Sequence, residues 1–213
     1  MDTKWINRQE NAHLIIFFNG WGMDDRVLSR MNHGEFDVLM IYNYTSLNLT
    51  LPSLQNYQQV SLIAWSMGVW AATQSSIKCN MAIAINGTPT PMNAITGIDP
   101  MIFTATHQHW NENNRLKFNM RVCGGRATWM AQKELFPTRA LDDQKKELQA
   151  IANHCQKQTN KRQWHKAIIG SGDAIFLPCN QHQAWRGTTP HREISMPHWP
   201  FHDFNNWQTI LDL

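Results

Sequence analysis

Residues 60–72 read Val-Ser-Leu-Ile-Ala-Trp-Ser-Met-Gly-Val-Trp-Ala-Ala. Val60–Trp65 is a short, almost wholly apolar run, the pattern of a strand buried on both faces of a parallel sheet. From Met67 the chain is alanine-rich and, after Gly68, free of Gly and Pro, which predicts a helix over Met67–Lys78. Ser66 stands at the junction, with Ala64 two residues before it and Gly68 two after. A serine raised on a strained strand-to-helix turn needs small residues at both places, and Ala64 carries one methyl more than the glycine usual there. Small-x-Ser-x-Gly alone is a common pattern that also suits a plain tight turn. The strand before it and the helix after it make Ser66 a candidate nucleophile. Helix amides starting at Met67 would also face negative charge developing beside that serine.

A serine hydroxyl attacks only when a base takes its proton and an acid orients the base. After an elbow of this kind the acid, then the histidine, follow along the chain. Ile168–Pro178 is an apolar strand running into a glycine-containing loop that carries Asp173; the plainer use of that Asp is a turn or helix cap. Pro197-His198-Trp199-Pro200-Phe201-His202 follows the last apolar run and precedes the final helix. His198 and His202 are both candidate bases, and His198, nearer the strand end, is preferred. His107, His109, His154, His182 and His191 have no such context. His198 and His202 are four residues apart, but neither an HExxH pattern nor a third ligand accompanies them, so no metal and no other cofactor is expected.

An oxyanion formed on attack needs two backbone donors. Met67, next after the nucleophile, offers one. Asn19-Gly20-Trp21-Gly22-Met23, directly after the apolar run HLIIFF, offers the other at Trp21, where the flanking glycines let backbone approach a substrate closely. A simple glycine turn is the alternative.

Working outward, short apolar runs at His13–Asn19, Asp37–Tyr42, Val60–Trp65, Met81–Asn86, Ala167–Gly170 and Arg192–Met196 alternate with helical patterns, and Phe204–Leu213 has the spacing of a closing helix. The expectation is an α/β domain with a mainly parallel sheet flanked by helices. At 213 residues it has room for one such core. Residues 99–165 differ: they hold no convincing strand, and Leu148, Ile151, Ala152 and Cys155 follow a helical spacing. Residues 1–98 and 166–213 are therefore expected to form the core and 99–165 a helical cap. Between residues 101 and 170 there are 12 Lys and Arg against 5 Asp and Glu, whereas the remainder has 7 against 11. A basic insertion in an acidic core is either a solvated helical face or a surface for an acidic partner.

The formal net charge of +3 is too small to argue for nucleic acid, and no nucleic-acid motif is present. The N-terminus lacks a basic start followed by an apolar run, and no apolar stretch approaches the roughly 20 residues that span a bilayer. Four cysteines without a CxxC pair suit a reducing compartment, so a soluble cytoplasmic protein is expected.

FFNGWGMD (17–24), AWSMGVWAA (64–72), GSGDAIFLP (170–178) and PHWPF (197–201) together resemble the biotin-pathway carboxylesterases, and within them the BioG type of pimeloyl-[acyl-carrier protein] methyl ester esterase. The BioH type shares the Gly-Trp-Gly loop, the Trp-Ser-x-Gly elbow and a His-x-Pro-Phe ending. The resemblance runs from the first strand to the final helix and leaves 99–165 without a residue-by-residue match. It implies an α/β-hydrolase fold and release of methanol from a pimeloyl methyl ester borne on acyl carrier protein. Ser66 would be the nucleophile, His198 the base and Asp173 its orienting acid, with Trp21 and Met67 as oxyanion donors.

The acidity of acyl carrier proteins turns the basic cap into a candidate docking face through Arg115, Lys117, Arg121, Arg126, Arg139 and Lys145. Trp21, Trp65 and Trp199 are candidate walls of an acyl pocket, though core packing is an equal use of Trp65. A thioesterase or general short-chain esterase with the same three residues is the near alternative. A hydrolase-fold binding module without catalysis is the distant one. Oligomeric state is not legible here.

Overall fold

The computed structural model describes residues 1–155 and 162–213. Positions 156–161, including Lys157 and Lys161 of the basic count and part of the expected cap, lie outside the described residues. Seven strands form one sheet: β1 (Asp2–Asn7), β2 (His13–Phe18), β3 (Phe36–Tyr42), β4 (Gln59–Trp65), β5 (Met81–Ile85), β6 (Lys166–Gly172) and β7 (His191–Pro197), in the order β1-β3-β2-β4-β5-β6-β7. All neighbours pair in parallel except β1, which runs antiparallel to β3 at the edge. This is the α/β-hydrolase arrangement.

The apolar runs of β2 to β5 became strands because both faces of the sheet are covered there, whereas the edge strand β7 is mostly exposed. Leu14, Ile16 and Phe18 of β2 enter one apolar cluster, while Ile15 and Phe17 enter the other. The first cluster is closed by α1 (Met67–Thr73) through Val69 and Trp70, and by α6 (Pro178–Trp185) through Trp185. The second is closed by α7 (Trp207–Asp212) through Trp207 and Ile210. β1 was not anticipated. Its sequence, DTKWIN, is largely exposed, and an antiparallel edge strand needs only one paired side and no continuous apolar run.

Two helices are shorter than their patterns suggest. The helix expected over Met67–Lys78 ends at Thr73. Arg162 reaches across from a distant segment and donates to the carbonyls of Ala72 (3.0 Å), Ser75 (2.9 Å) and Ile77 (3.0 Å), so these acceptors are satisfied without further helical turns. At the C-terminus, Asn206 rather than Phe204 begins the turn: its side chain accepts from the Thr209 amide at 2.9 Å.

Between β5 and β6 lie α2 (Pro100–Gln108), α3 (Glu112–Val122), α4 (Arg126–Gln132) and α5 (Leu141–Cys155), with no strand among the described residues. Leu148 and Ile151 of α5 are buried in the same cluster as Val69 and Trp70, so the last of these helices is seated in the core.

The sheet order reverses between β2 and β4, and the chain leaves those two strands in opposite directions along the sheet. The crevice at such a switch point, past the carboxyl ends of the strands, is where open α/β sheets bind ligands. The loop Asn19–Met23 leaves β2 there and Ser66 leaves β4 beside it, since Phe18 pairs with Ala64. Gly68 permits this approach: a Cβ on it would lie 2.3 Å from the Phe18 carbonyl oxygen and 2.6 Å from that of Asn19. Gly68→Ala is therefore expected to destabilise the fold by about 2 kcal/mol or more through overpacking against rigid backbone, read as a lowered thermal midpoint.

Candidate active site

The backbone of Ser66 has φ 60° and ψ −127°, a conformation that non-glycine residues rarely adopt. It is held by strand and helix together. The Ser66 amide donates to the Ile85 carbonyl at 3.0 Å, and the Val69 amide donates to the Ser66 carbonyl at 3.0 Å. The turn between an extended strand and a helix that starts at the next residue leaves Ser66 no ordinary backbone geometry.

His198 lies just past the end of β7 and is buried. Its Nε2 is 2.9 Å from Ser66 Oγ, and its Nδ1 is 2.9 Å from Asp173 Oδ2. With the proton on Nδ1, His198 donates to the carboxylate and Nε2 accepts from the serine hydroxyl. Asp173, past the end of β6, is equally enclosed: its Oδ1 accepts from the amides of Ile175 (2.8 Å) and Phe176 (2.9 Å), and its Oδ2 also accepts from Gln181 Nε2 (3.0 Å). The imidazole lies between Phe176, stacked at a centroid distance of 6.0 Å, and the tilted indole of Trp65 at 5.5 Å. Asn86, past the end of β5, donates to the carbonyls of Pro197 (2.9 Å) and His198 (3.1 Å) and accepts from the Gly170 amide (2.6 Å), tying three strand ends together.

His202 does not share this position. It is exposed, and its Nδ1 lies 3.3 Å from Gln132 Nε2. Ser66 and His198 open on a narrow, mostly apolar cavity of about 40 Å³, walled by Trp21, Trp65, Phe103, Phe118, Leu148 and Ile175. Met67 also lines it. Trp199 does not line it: it is fully buried, stacked on Phe136 at 4.5 Å and packed edge-on against Trp65 and Phe201. Its adjacency to His198 in sequence does not bring it to the cavity. Among the described residues, neither the Trp21 nor the Met67 amide has an acceptor.

The basic positions of the insertion do not form one surface. Arg139 is not free: its guanidinium bonds the buried Glu147 carboxylate at 2.6 Å. Arg115 bonds Glu112 (2.6 Å) and the Arg139 carbonyl (3.1 Å). Arg126 is exposed at the start of α4, and Lys145 borders a separate hollow with His107 and Lys146. Lys117 and Arg121 of α3 line a groove between α2 and α3 that shares Thr106 and Phe118 with the cavity over Ser66.

Sequence reading missed Asn86, Gln181, Gln144 and Glu147. Asn86 carried a signal: an Asn-Gly pair ends an apolar strand at the same edge as Ser66. Gln144 and Glu147 resemble any polar residues of an amphipathic helix, and only folding reveals them as buried. Among the described residues no cluster of three or more His, Cys, Asp or Glu side chains is arranged to hold a metal ion, and no helix is long and apolar enough to cross a membrane.

A serine on a strained strand-to-helix turn at the switch point of such a sheet is the arrangement of the α/β-hydrolase fold. Residues 1–210 match the family model described as pimeloyl-ACP methyl esterase BioG. The chain superposes on the crystal structure of BioG from Haemophilus influenzae with a TM-score of 0.91 at 36% identity, covering 98% of this chain and 99% of the other. The chain belongs to the BioG family. A malonyl-[acyl-carrier protein] O-methyltransferase from Bacteroides fragilis is 40% identical over 177 residues, which are 81% of this chain but 36% of that protein. A lipase-esterase related protein from Clostridium acetobutylicum shares the fold at 11% identity and a TM-score of 0.65, with 94% and 93% of the two chains covered. Fold and family make this an esterase-type enzyme.

Burial pushes the thiols of Cys123 and Cys155 up to about 12, so neither supplies a thiolate near neutrality. Maleimide treatment at pH 7 is expected to label the exposed Cys179 first and to leave ester hydrolysis intact. Mass mapping alongside an activity assay checks this, and loss of activity in step with labelling would point away from Ser66.

Proposed function

We propose that this chain is a serine carboxylesterase that hydrolyses the methyl ester of pimeloyl-[acyl-carrier protein], yielding pimeloyl-[acyl-carrier protein] and methanol for biotin synthesis. Ser66 is the nucleophile, His198 the general base and acid, and Asp173 the group that holds the imidazole. The single observation that carries this reading is the buried chain of hydrogen bonds from Ser66 Oγ through His198 to Asp173, facing an apolar slot.

In the reaction, His198 Nε2 takes the Ser66 proton as Oγ attacks the ester carbonyl carbon. The resulting oxyanion accepts from the Trp21 and Met67 amides, which no described residue occupies. His198 then protonates the departing methoxide, and methanol leaves an acyl-Ser66 intermediate. Water, deprotonated by His198, attacks that carbonyl, and collapse returns the proton to Ser66 and frees the ω-carboxylate. Asp173 keeps the Nδ1 proton in place and stabilises the imidazolium at each step.

The substrate assignment rests on the family and on the chemistry of the neighbouring surface. O-methyl transfer to a carrier-bound malonyl group, the activity named for the Bacteroides relative, makes a carrier-bound methyl ester, the kind of bond an esterase of this class opens. The narrow apolar slot suits a methylene chain, and the Lys117–Arg121 groove suits the acidic carrier and its arm. Residues 99–165, on this reading, cap the site between core segments 1–98 and 166–213.

Ser66→Ala is expected to abolish turnover of the carrier-bound methyl ester, at least a thousandfold, while leaving the thermal midpoint close to the parent value. Mass spectrometry of the carrier separates the alternatives. Loss of the methyl group with the thioester intact supports the methyl esterase; release of the whole acyl chain would make the chain a thioesterase. Lys117→Glu with Arg121→Glu is expected to raise KM for the carrier-bound ester about tenfold or more, with p-nitrophenyl acetate turnover little changed. An equal loss on both substrates would remove the docking role.

A further inference from the structure

The turn at residues 20–23 presents four successive amides, and three are engaged. Gly20 donates to the Asn19 side chain at 2.8 Å, Gly22 to Glu147 Oε2 at 3.2 Å, and Met23 back to the Gly20 carbonyl at 3.3 Å. Only Trp21 is left without an acceptor among the described residues. Gly22 has φ +72°, which lets the turn close in this sense.

The contacts that set this pattern come from α5, more than 120 residues away. Gln144 Nε2 donates to the Gly22 carbonyl at 3.0 Å, and the Gln144 backbone carbonyl accepts from the Trp21 indole at 2.8 Å. One helical turn later, Glu147 accepts the Gly22 amide through Oε2 and the Tyr44 amide through Oε1 at 3.0 Å. The Glu147 side chain is 0% exposed, and Arg139 at 2.6 Å is the cation that compensates it. The Gln144 amide oxygen is itself fixed by the Trp110 indole at 3.2 Å, and Trp110 packs on Trp21 at 4.6 Å. Both faces of the Gly22 residue are thus gripped: its carbonyl by Gln144 and its amide by Glu147.

We infer that Gln144 and Glu147 are positioning residues for the hydrolysis: they clamp the Gly20–Met23 turn so that the Trp21 amide alone is reserved for the oxyanion, and Arg139 keeps the clamp's carboxylate from opposing that charge. This rests on the esterase reading of Ser66. A buried carboxylate on a neighbouring amide is tolerable beside an oxyanion only when a guanidinium neutralises it, which is the arrangement present. A donor displaced by a fraction of an ångström loses much of its value in a low-dielectric site.

Gln144→Ala and Glu147→Gln test the inference, with p-nitrophenyl acetate as substrate and an aliphatic trifluoromethyl ketone as a probe whose serine adduct carries an oxyanion. The clamp requires kcat to fall about tenfold or more in each folded variant, KM to stay within about twofold, and ketone affinity to fall by the same factor as kcat. A residue of merely structural use would lower the melting temperature without linking kcat to ketone affinity. If Glu147→Gln does not fold, Gln144→Ala, which leaves the ion pair untouched, decides alone. Unchanged kcat and ketone affinity in a folded variant, or a raised KM at constant kcat, would overturn the clamp. If the parent protein neither hydrolyses the ester nor binds the ketone, the esterase reading itself falls, and the clamp with it.

Discussion

The rest of the molecule is organised around one strained residue. Ser66 sits at φ 60° because β4 must end and α1 must begin within a single residue, and the surroundings leave no alternative. Such a conformation costs of order 1–3 kcal/mol and persists only where neighbours over-determine it. Here they do: Ile85 takes the Ser66 amide, and Gly68 lets α1 press directly on the backbone of Phe18 and Asn19. The central place of β4 in the sheet makes this possible, since strands on both sides brace the turn.

Parallel pairing then delivers the partners. β5, β6 and β7 lie in order beside β4, all pointing the same way, so Asn86, Asp173 and His198 emerge at one edge although they are far apart in sequence. The register shift in the β6–β7 pair between Gly170 and Gly172 falls just where the chain must turn toward Asp173. The carboxylate then collects two backbone amides and the Gln181 amide group before it meets His198. A carboxylate so placed has a hydrogen-bond donor on each oxygen, which buried polar groups require.

The insertion between β5 and β6 meets this edge in two different ways. α5 is seated in the core and grips the Gly20–Met23 turn with buried polar groups; α2 and α3 overhang the cavity and carry its basic groove. One segment therefore combines rigid support of the loop with a surface facing solvent, and the basic residues divide accordingly. Arg139 is committed to Glu147, whereas Lys117 and Arg121 border open space. Counting charge along the insertion merges these two groups. Their difference lies in whether a carboxylate waits opposite.

Local chemistry was sufficient for much of this. An apolar run buried on both faces, a small-x-Ser-x-Gly junction and polar residues just past strand ends are all written in neighbouring positions, so strands β2 to β7, the strand-to-helix junction at Ser66 and the places of Asp173 and His198 past their strand ends were legible. β1 was not, because an edge strand needs little hydrophobicity. The true end of α1 was not, because Arg162, nearly a hundred residues on, satisfies its carbonyls. Tertiary structure alone decided that Trp199 packs behind the site and that Gln144 and Glu147 turn inward. Such outcomes depend on which groups desolvate together, and that is a property of the assembled core with no imprint on short stretches of chain.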